Sequence, residues 1–171
     1  MNRFETARLR FRSFQEKDLD ALAAMQAEPE TVRHVGDGRP LDRETVARWI
    51  AVSRDNVSRH GYGTGAVIAR DGGVLVGWAG IARPGDGSEE LVYGLGRAWQ
   101  GRGLGRELLR GLVRWARDEL RLPALRATVH ADNGRSRALL EAEGFVLVDA
   151  ARGGDPLDLL YVLQTPSRGI E

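Results

Sequence analysis

Polar and apolar residues alternate through positions 8–12 (Arg-Leu-Arg-Phe-Arg), the pattern of a strand with one buried face. From 18 to 26 the spacing turns helical, with Leu19, Leu22, Ala23 and Met25 recurring and Pro29 closing the segment. A short turn is expected at 30–34 and a loop at 36–40, where Gly-Asp-Gly-Arg-Pro gathers turn residues. Asp42 suits the N-cap of a helix reaching to about His60, whose inner face should carry Val46, Trp49, Ile50 and Val57. Beyond Gly61 the period shortens to two. Strands at 65–69 and 74–81 flank Asp71-Gly72-Gly73, a hairpin signal, and a turn at 84–88 leads into a strand at 90–95.

A glycine-rich stretch, Trp99-Gln100-Gly101-Arg102-Gly103-Leu104-Gly105-Arg106, then opens a helix expected over 107–120. Leu104, Leu108, Leu112 and Trp115 or Ala116 form its apolar stripe, with Arg106, Arg110, Arg114 and Arg117 off it. Pro123 restarts the chain as a strand at 125–131. Asp132-Asn133 caps a helix through Glu143 that Gly144 stops, and 145–148 with 158–163 read as a closing antiparallel pair. The order is strand, helices, three antiparallel strands, helix, strand, helix, two strands: an α/β (α+β) chain whose 171 residues make one domain, 1–171.

Composition narrows the chemistry. A net charge of +1 gives no reason to expect nucleic acid or an acidic membrane as partner. With no cysteine, disulfides, thiol catalysis and cysteine-bound metal are excluded, and His34, His60 and His130 lack ligand spacing, so no metal is expected. No apolar run reaches membrane length, and Met1-Asn2-Arg3-Phe4-Glu5 does not begin a signal peptide, which points to a cytoplasmic protein.

The order strand, glycine turn, helix makes a phosphate cradle, since the opening N–H groups of a helix have no partner inside it. A Walker loop would end in Gly-Lys-Ser/Thr, where this chain has Arg106-Glu107. A dinucleotide fingerprint would read G-x-G-x-x-G near a domain start, whereas this run is G-x-G-x-G in the second half. What matches is Gln/Arg-x-x-Gly-x-Gly/Ala, read from Gln100 to Gly105. That pattern resembles the pyrophosphate loop of the GNAT N-acetyltransferases, which holds coenzyme A. Three further runs resemble the branch with the ribosomal-protein N-terminal acetyltransferases: Glu5-Thr6-Ala7-Arg8-Leu9-Arg10-Phe11-Arg12, Tyr93-Gly94-Leu95-Gly96, and Asn133-x-x-Ser136 through Glu143-Gly144-Phe145.

The resemblance covers nearly the whole chain. It implies a twisted, mixed, mostly antiparallel sheet with splayed parallel central strands, flanked by helices. It also implies an acetyl-CoA-dependent N-acetyltransferase, in which a primary amine (a protein N-terminus or a small molecule) attacks directly in a ternary complex. The alternatives are a non-catalytic CoA-binding module and a transferase of a longer acyl chain. The pantetheine arm is expected along Gly94-Leu95-Gly96, with the N–H of Leu95 polarising the thioester carbonyl. The pyrophosphate is expected on Gly101, Arg102, Gly103, Leu104, Gly105 and Arg106 beside Gln100. Arg102 and Arg106 either add charge to it or are solvated arginines.

Asn133 is expected both to bind the arm and to cap its helix. Many relatives place a tyrosine as general acid where this chain has Leu140, so Ser136 is the expected donor to the departing sulfur. Glu90 is the expected base, its bland alternative being a surface carboxylate, with His130 as rival. Acceptor recognition is expected from the 34–41 loop, the helix bearing Trp49 and the hairpin near Tyr161, those two aromatics themselves being packing residues. A monomer and a homodimer both remain open.

Overall fold

The computed structural model describes residues 2–85, 87–151 and 154–165; Met1 at the head of the chain and Asp86 in the expected 84–88 turn lie outside them. The strands are β1 (Asn2–Glu5), β2 (Leu9–Ser13), β3 (Thr64–Ala69), β4 (Leu75–Ala82), β5 (Glu90–Leu95), β6 (Ala124–His130), β7 (Val146–Asp149) and β8 (Asp158–Gln164). The helices are α1 (Leu19–Gln26), α2 (Pro29–Val32), α3 (Arg43–His60), α4 (Leu104–Arg114) and α5 (Gly134–Ala142).

Two antiparallel ladders result. One runs β1-β2-β3-β4-β5 and the other β6-β8-β7. Among the described residues no ladder joins β5 to β6, although α4 returns the chain so that the two lie side by side. Glu90, the first residue of β5, accepts a hydrogen bond from the Thr128 hydroxyl of β6. Tyr93, three residues on, meets Ser136 beyond the end of β6. Positions rise together along both strands, so β5 and β6 run parallel and part into a seam.

Each face of the larger sheet is covered. Val46 and Ile50 of α3 and Leu22 of α1 bury against Ala66, Ile68 and Trp78 on one side. Leu104, Leu108, Leu109, Leu112 and Trp115 bury with Phe11, Leu91 and Leu95 on the other, and this cluster continues through Leu125, Leu140 and Tyr161 to the smaller ladder. The ends of α3 behave as its sequence dictates. Asp42 accepts from the N–H of Thr45 at 2.7 Å, and Gly61, at φ 81°, stops the helix in the left-handed conformation. Its buried face adds Ser53, whose hydroxyl bonds that of Thr64, while Trp49 and Val57 are only partly buried.

Two expectations change. β1 was not expected: with one apolar side chain known from its pattern, Phe4, it offers no alternation. It forms because Phe4 stacks on Phe11 at 5.0 Å and because the Thr6 hydroxyl accepts from Leu9 N–H, turning the chain without glycine. The helix expected over 107–120 begins at Leu104 instead and is α-helical to Arg114. A π turn over Trp115–Glu119 then ends it, with the N–H of Leu120 reaching back to the carbonyl of Trp115. The closing antiparallel pair forms as expected, β7 with β8, and β8 also pairs with β6 on its other side, which gives the order β6-β8-β7.

Candidate active site

The seam opens into a cleft of about 510 Å³ between the glycine loop, the end of β5 and the start of α5. A second lobe of about 310 Å³ runs between β5 and β6. His34, Val35, Trp78, Tyr93, Asn133 and Ser136 line both, so the two volumes meet at those residues.

The loop is held open by glycines for two reasons. Gly101 and Gly103 sit at φ 74° and 75°, where other residues are strained, and a Cβ on Gly101 would meet nothing within 4 Å. Gly105 is already in the first turn of α4 and packs closely on α5, a Cβ there coming 3.3 Å from the Leu139 side chain. The first α-helical bond of α4 runs from Glu107 N–H to Gly103 C=O. The N–H groups of Leu104, Gly105 and Arg106 therefore precede it with no partner inside the helix, at its positive dipole end. Leu104 gives the site only that backbone group, its side chain being core.

Glu107 moors this turn to the start of the chain. Its Oε1 accepts from the Thr6 hydroxyl at 2.6 Å and the Arg8 N–H at 2.7 Å, and its Oε2 from Arg8 Nε at 2.7 Å. Burial alone would lift the Glu107 carboxyl, but the bonds from Thr6 and Arg8 outweigh it and hold it below its ordinary value. Arg106 lines the cleft, with Nε 3.5 Å from Glu143. Arg102 turns out over the Trp99 ring at 5.1 Å. Expected together on phosphate, the two arginines are thus separated.

At the end of β5 the ladder decides which groups are available. Gly96 N–H donates to Val76 C=O at 2.9 Å, which makes the next pair, Gly77 and Leu95, a non-hydrogen-bonded one. Leu95 therefore turns its N–H and C=O away from β4, into the seam. Gln100 Nε2 donates to that C=O at 2.9 Å, leaving the N–H as the group presented. Gly96 is spent differently from its neighbour: its N–H is in the ladder and its C=O accepts from Trp99 N–H. Gln100 likewise acts on β5 through its amide nitrogen while lining the cleft.

Asn133 Oδ1 accepts from Ser136 N–H at 3.2 Å, so its amide nitrogen is the part available to a ligand. Ser136 Oγ lies 2.9 Å from the Tyr93 hydroxyl. Glu90 and His130 face the second lobe, away from the glycine loop. His130 Nδ1 accepts from Asp132 N–H at 3.2 Å, which places the proton of a neutral ring on Nε2. Trp49 packs edge-on against Trp78 at 6.1 Å. The Tyr161 ring is fully buried, with its hydroxyl donating to Glu141.

Two residues in the site, Trp78 and Tyr93, were not expected there, and a third, His34, belongs to the expected 34–41 acceptor loop. Trp78 lies across Gly94, where a Cβ would come 2.1 Å from its ring; the glycine opposite was the sequence signal for it. Tyr93 sits at the junction of the lobes, its hydroxyl raised above its ordinary value by burial, with the Ser136 bond opposing in part. His34, 5.7 Å ring to ring from His130, is lowered by burial and then by the charges of Arg33 and His130, and so stays neutral further into acid.

A family model for the acetyltransferase (GNAT) domain matches residues 8–146. The chain is 39% identical over 106 residues to the N-alpha-acetyltransferase RimI of Mycobacterium tuberculosis, a match spanning 60% of this chain and 63% of that relative. Among solved structures, an acetyltransferase from Agrobacterium tumefaciens superimposes with TM-score 0.82 at 28% identity over 96% of this chain and 94% of its own. RimL, a ribosomal L7/L12 alpha-N-protein acetyltransferase in complex with coenzyme A, superimposes with TM-score 0.81 at 16% identity over 98% of this chain and 99% of its own, a likeness of fold.

Proposed function

Because the chain belongs to the GNAT acetyltransferase family, we propose that it transfers the acetyl group of acetyl-CoA to a primary amine, by direct attack, within a single domain working in the cytoplasm. The observation that carries this reading is the alignment of donors along one cleft. The free N–H groups of Leu104, Gly105 and Arg106 suit a pyrophosphate, and the Leu95 N–H in the seam suits a thioester oxygen as charge develops on it. The open cradle at Gly101 leaves room for the ligand. Asn133 offers its amide nitrogen to the pantetheine arm, and Ser136 offers a hydroxyl where the sulfur departs.

Glu90 is the base in this reading. It lies in the second lobe, where an acceptor amine would enter, and the Thr128 hydroxyl orients it. The tied Nδ1 of His130 favours Glu90, since a base needs a bare nitrogen. The acceptor is a peptide N-terminus or a small amine. An α-amine has an ordinary pKa of about 7.7–8.0 and needs less help to lose its proton than a lysine-type amine at about 10.4.

The experiment is twofold: calorimetric titration with acetyl-CoA, ADP and NAD, then thiol release from acetyl-CoA with a panel of peptide N-termini and short diamines. Selective acetyl-CoA binding with amine-dependent thiol release is expected. Binding without release for any amine would favour a CoA-binding module, and no binding would overturn the reading.

A further inference from the structure

Resting on the acyl-transfer reading, we propose that Tyr93 and Ser136 act as one hydroxyl pair, in which Tyr93 is a positioning residue that directs a proton of the pair at the departing sulfur. The two oxygens are 2.9 Å apart, one on β5 and one in the first turn of α5, on opposite sides of the seam and at the junction of the two lobes.

Counting protons gives the argument. Two hydroxyls carry two protons, and one bond between them uses one. When Tyr93 donates to Ser136, the serine proton has to point elsewhere, and the cleft is the open side. When Ser136 donates, the tyrosine proton is the one left over. In either direction a single proton remains to meet the sulfur. Neutral Tyr93, kept so by its burial, ensures that both protons are present. A lone serine hydroxyl would rotate among several orientations, and the tyrosine removes that freedom. Leu140, one turn beyond Ser136, is 0% exposed within the core and supplies no donor to the cleft.

The step balances without a further reactant. The amine nitrogen forms the C–N bond, its proton passes to Glu90 and on to water, and the C–S bond breaks. The sulfur leaves as a thiolate held by the hydroxyl pair and takes its final proton from water, as suits a thiol with an ordinary pKa of about 8.5.

The test compares wild type with Tyr93→Phe, Ser136→Ala, Ser136→Thr and the Tyr93→Phe/Ser136→Ala double variant. It measures kcat and KM with the best amine of the panel, and calorimetric Kd for acetyl-CoA. Tyr93→Phe is expected to lower kcat about tenfold or more with Kd within about twofold, the effect of losing a donor that works in the transition state. The double variant should fall no more than about threefold below the worse single one, since the residues work as a unit, while Ser136→Thr keeps most of the activity. An active wild type with Tyr93→Phe unimpaired, or single losses that multiply in the double variant, overturns the pairing alone. Should Tyr93→Phe melt early, the serine variants decide: threonine no better than alanine overturns the proposal. A wild type that binds acetyl-CoA yet acetylates no amine overturns the acyl-transfer reading and this inference with it.

Discussion

Glu90 lies beside Thr128 in the lobe between β5 and β6, and the role of base proposed for it depends on what the acceptor brings. A lysine-type amine is almost wholly protonated at pH 7, whereas an α-amine is partly neutral. Glu90→Gln should therefore lower kcat/KM about 100-fold for a lysine-type or diamine acceptor near pH 7, and less for a peptide N-terminus. The deficit should shrink as pH rises toward 9.5, because the amine then deprotonates without help. A pH series of kcat/KM for both acceptor types checks this, and an equal deficit at all pH values would assign Glu90 a structural role. The candidate residues were largely legible because the glycine loop and the Asn133-x-x-Ser136 run are local signatures. Tyr93 was not, since strand alternation puts it on the face opposite Glu90. The alternation holds, but β5 is the edge of its ladder and borders an open seam that residues of both parities line.

In the proposed reading ligand binding rests on the start of α4, and Glu107 moors that turn to residues about 100 positions away in the chain. Glu107→Gln leaves one acceptor oxygen, which can keep neutral bonds from the Thr6 hydroxyl and Arg8 N–H, and sets an amide NH2 against the donor Arg8 Nε–H. That last bond is lost, an expected loss of about 1–3 kcal/mol in stability. The pH dependence follows from the lowered carboxyl. With its folded pKa below the unfolded value near 4.3, this group adds stability that is complete above the unfolded pKa and is lost as pH falls through the folded one. Denaturant titrations between pH 7 and pH 3 should show wild type losing more stability than Glu107→Gln over the acid part of that range, and weaker acetyl-CoA binding in the variant at pH 7. None of this was visible in sequence. The helix was expected to begin at Glu107 itself, because three glycines read as loop, whereas Gly105 serves as the close contact with Leu139 inside the first turn. β1 was hidden for a related reason: its one telling residue is Phe4, which meets Phe11 across a turn without glycine and also packs on Trp115, which is distant in the chain.

At the scale of the whole molecule, the order of elements was readable from periodicity but their division into two ladders was not. A strand pattern reports burial on each face, and says nothing of which neighbour it bonds; hence β8, which pairs with β7 as expected, was not read as bonding β6 as well. The consequence is a molecule whose ligand cleft lies between the ladders. The larger ladder contributes Leu95 and Tyr93, and the smaller one leads directly into Asn133 and Ser136. A molecule bound along this cleft contacts both halves in the folded state only, so it stabilises folding by RT ln(1 + [L]/Kd), about 2.7 kcal/mol at a hundredfold excess over Kd. For a chain of this size each kcal/mol raises Tm by about 2–4 °C, so acetyl-CoA at that excess should raise the melting temperature by about 5–11 °C. If the glycine loop holds the pyrophosphate as proposed, ADP would reach that loop alone, and should bind more weakly and at equal concentration give a smaller shift. Gly103→Ala, which forces a side chain into the left-handed conformation at the loop, should lower the unliganded Tm and reduce the acetyl-CoA shift together. Thermal melts across a ligand series measure all three. Equal shifts from ADP and acetyl-CoA would mean that binding energy comes from the loop alone and that the seam takes no part in holding the pantetheine arm.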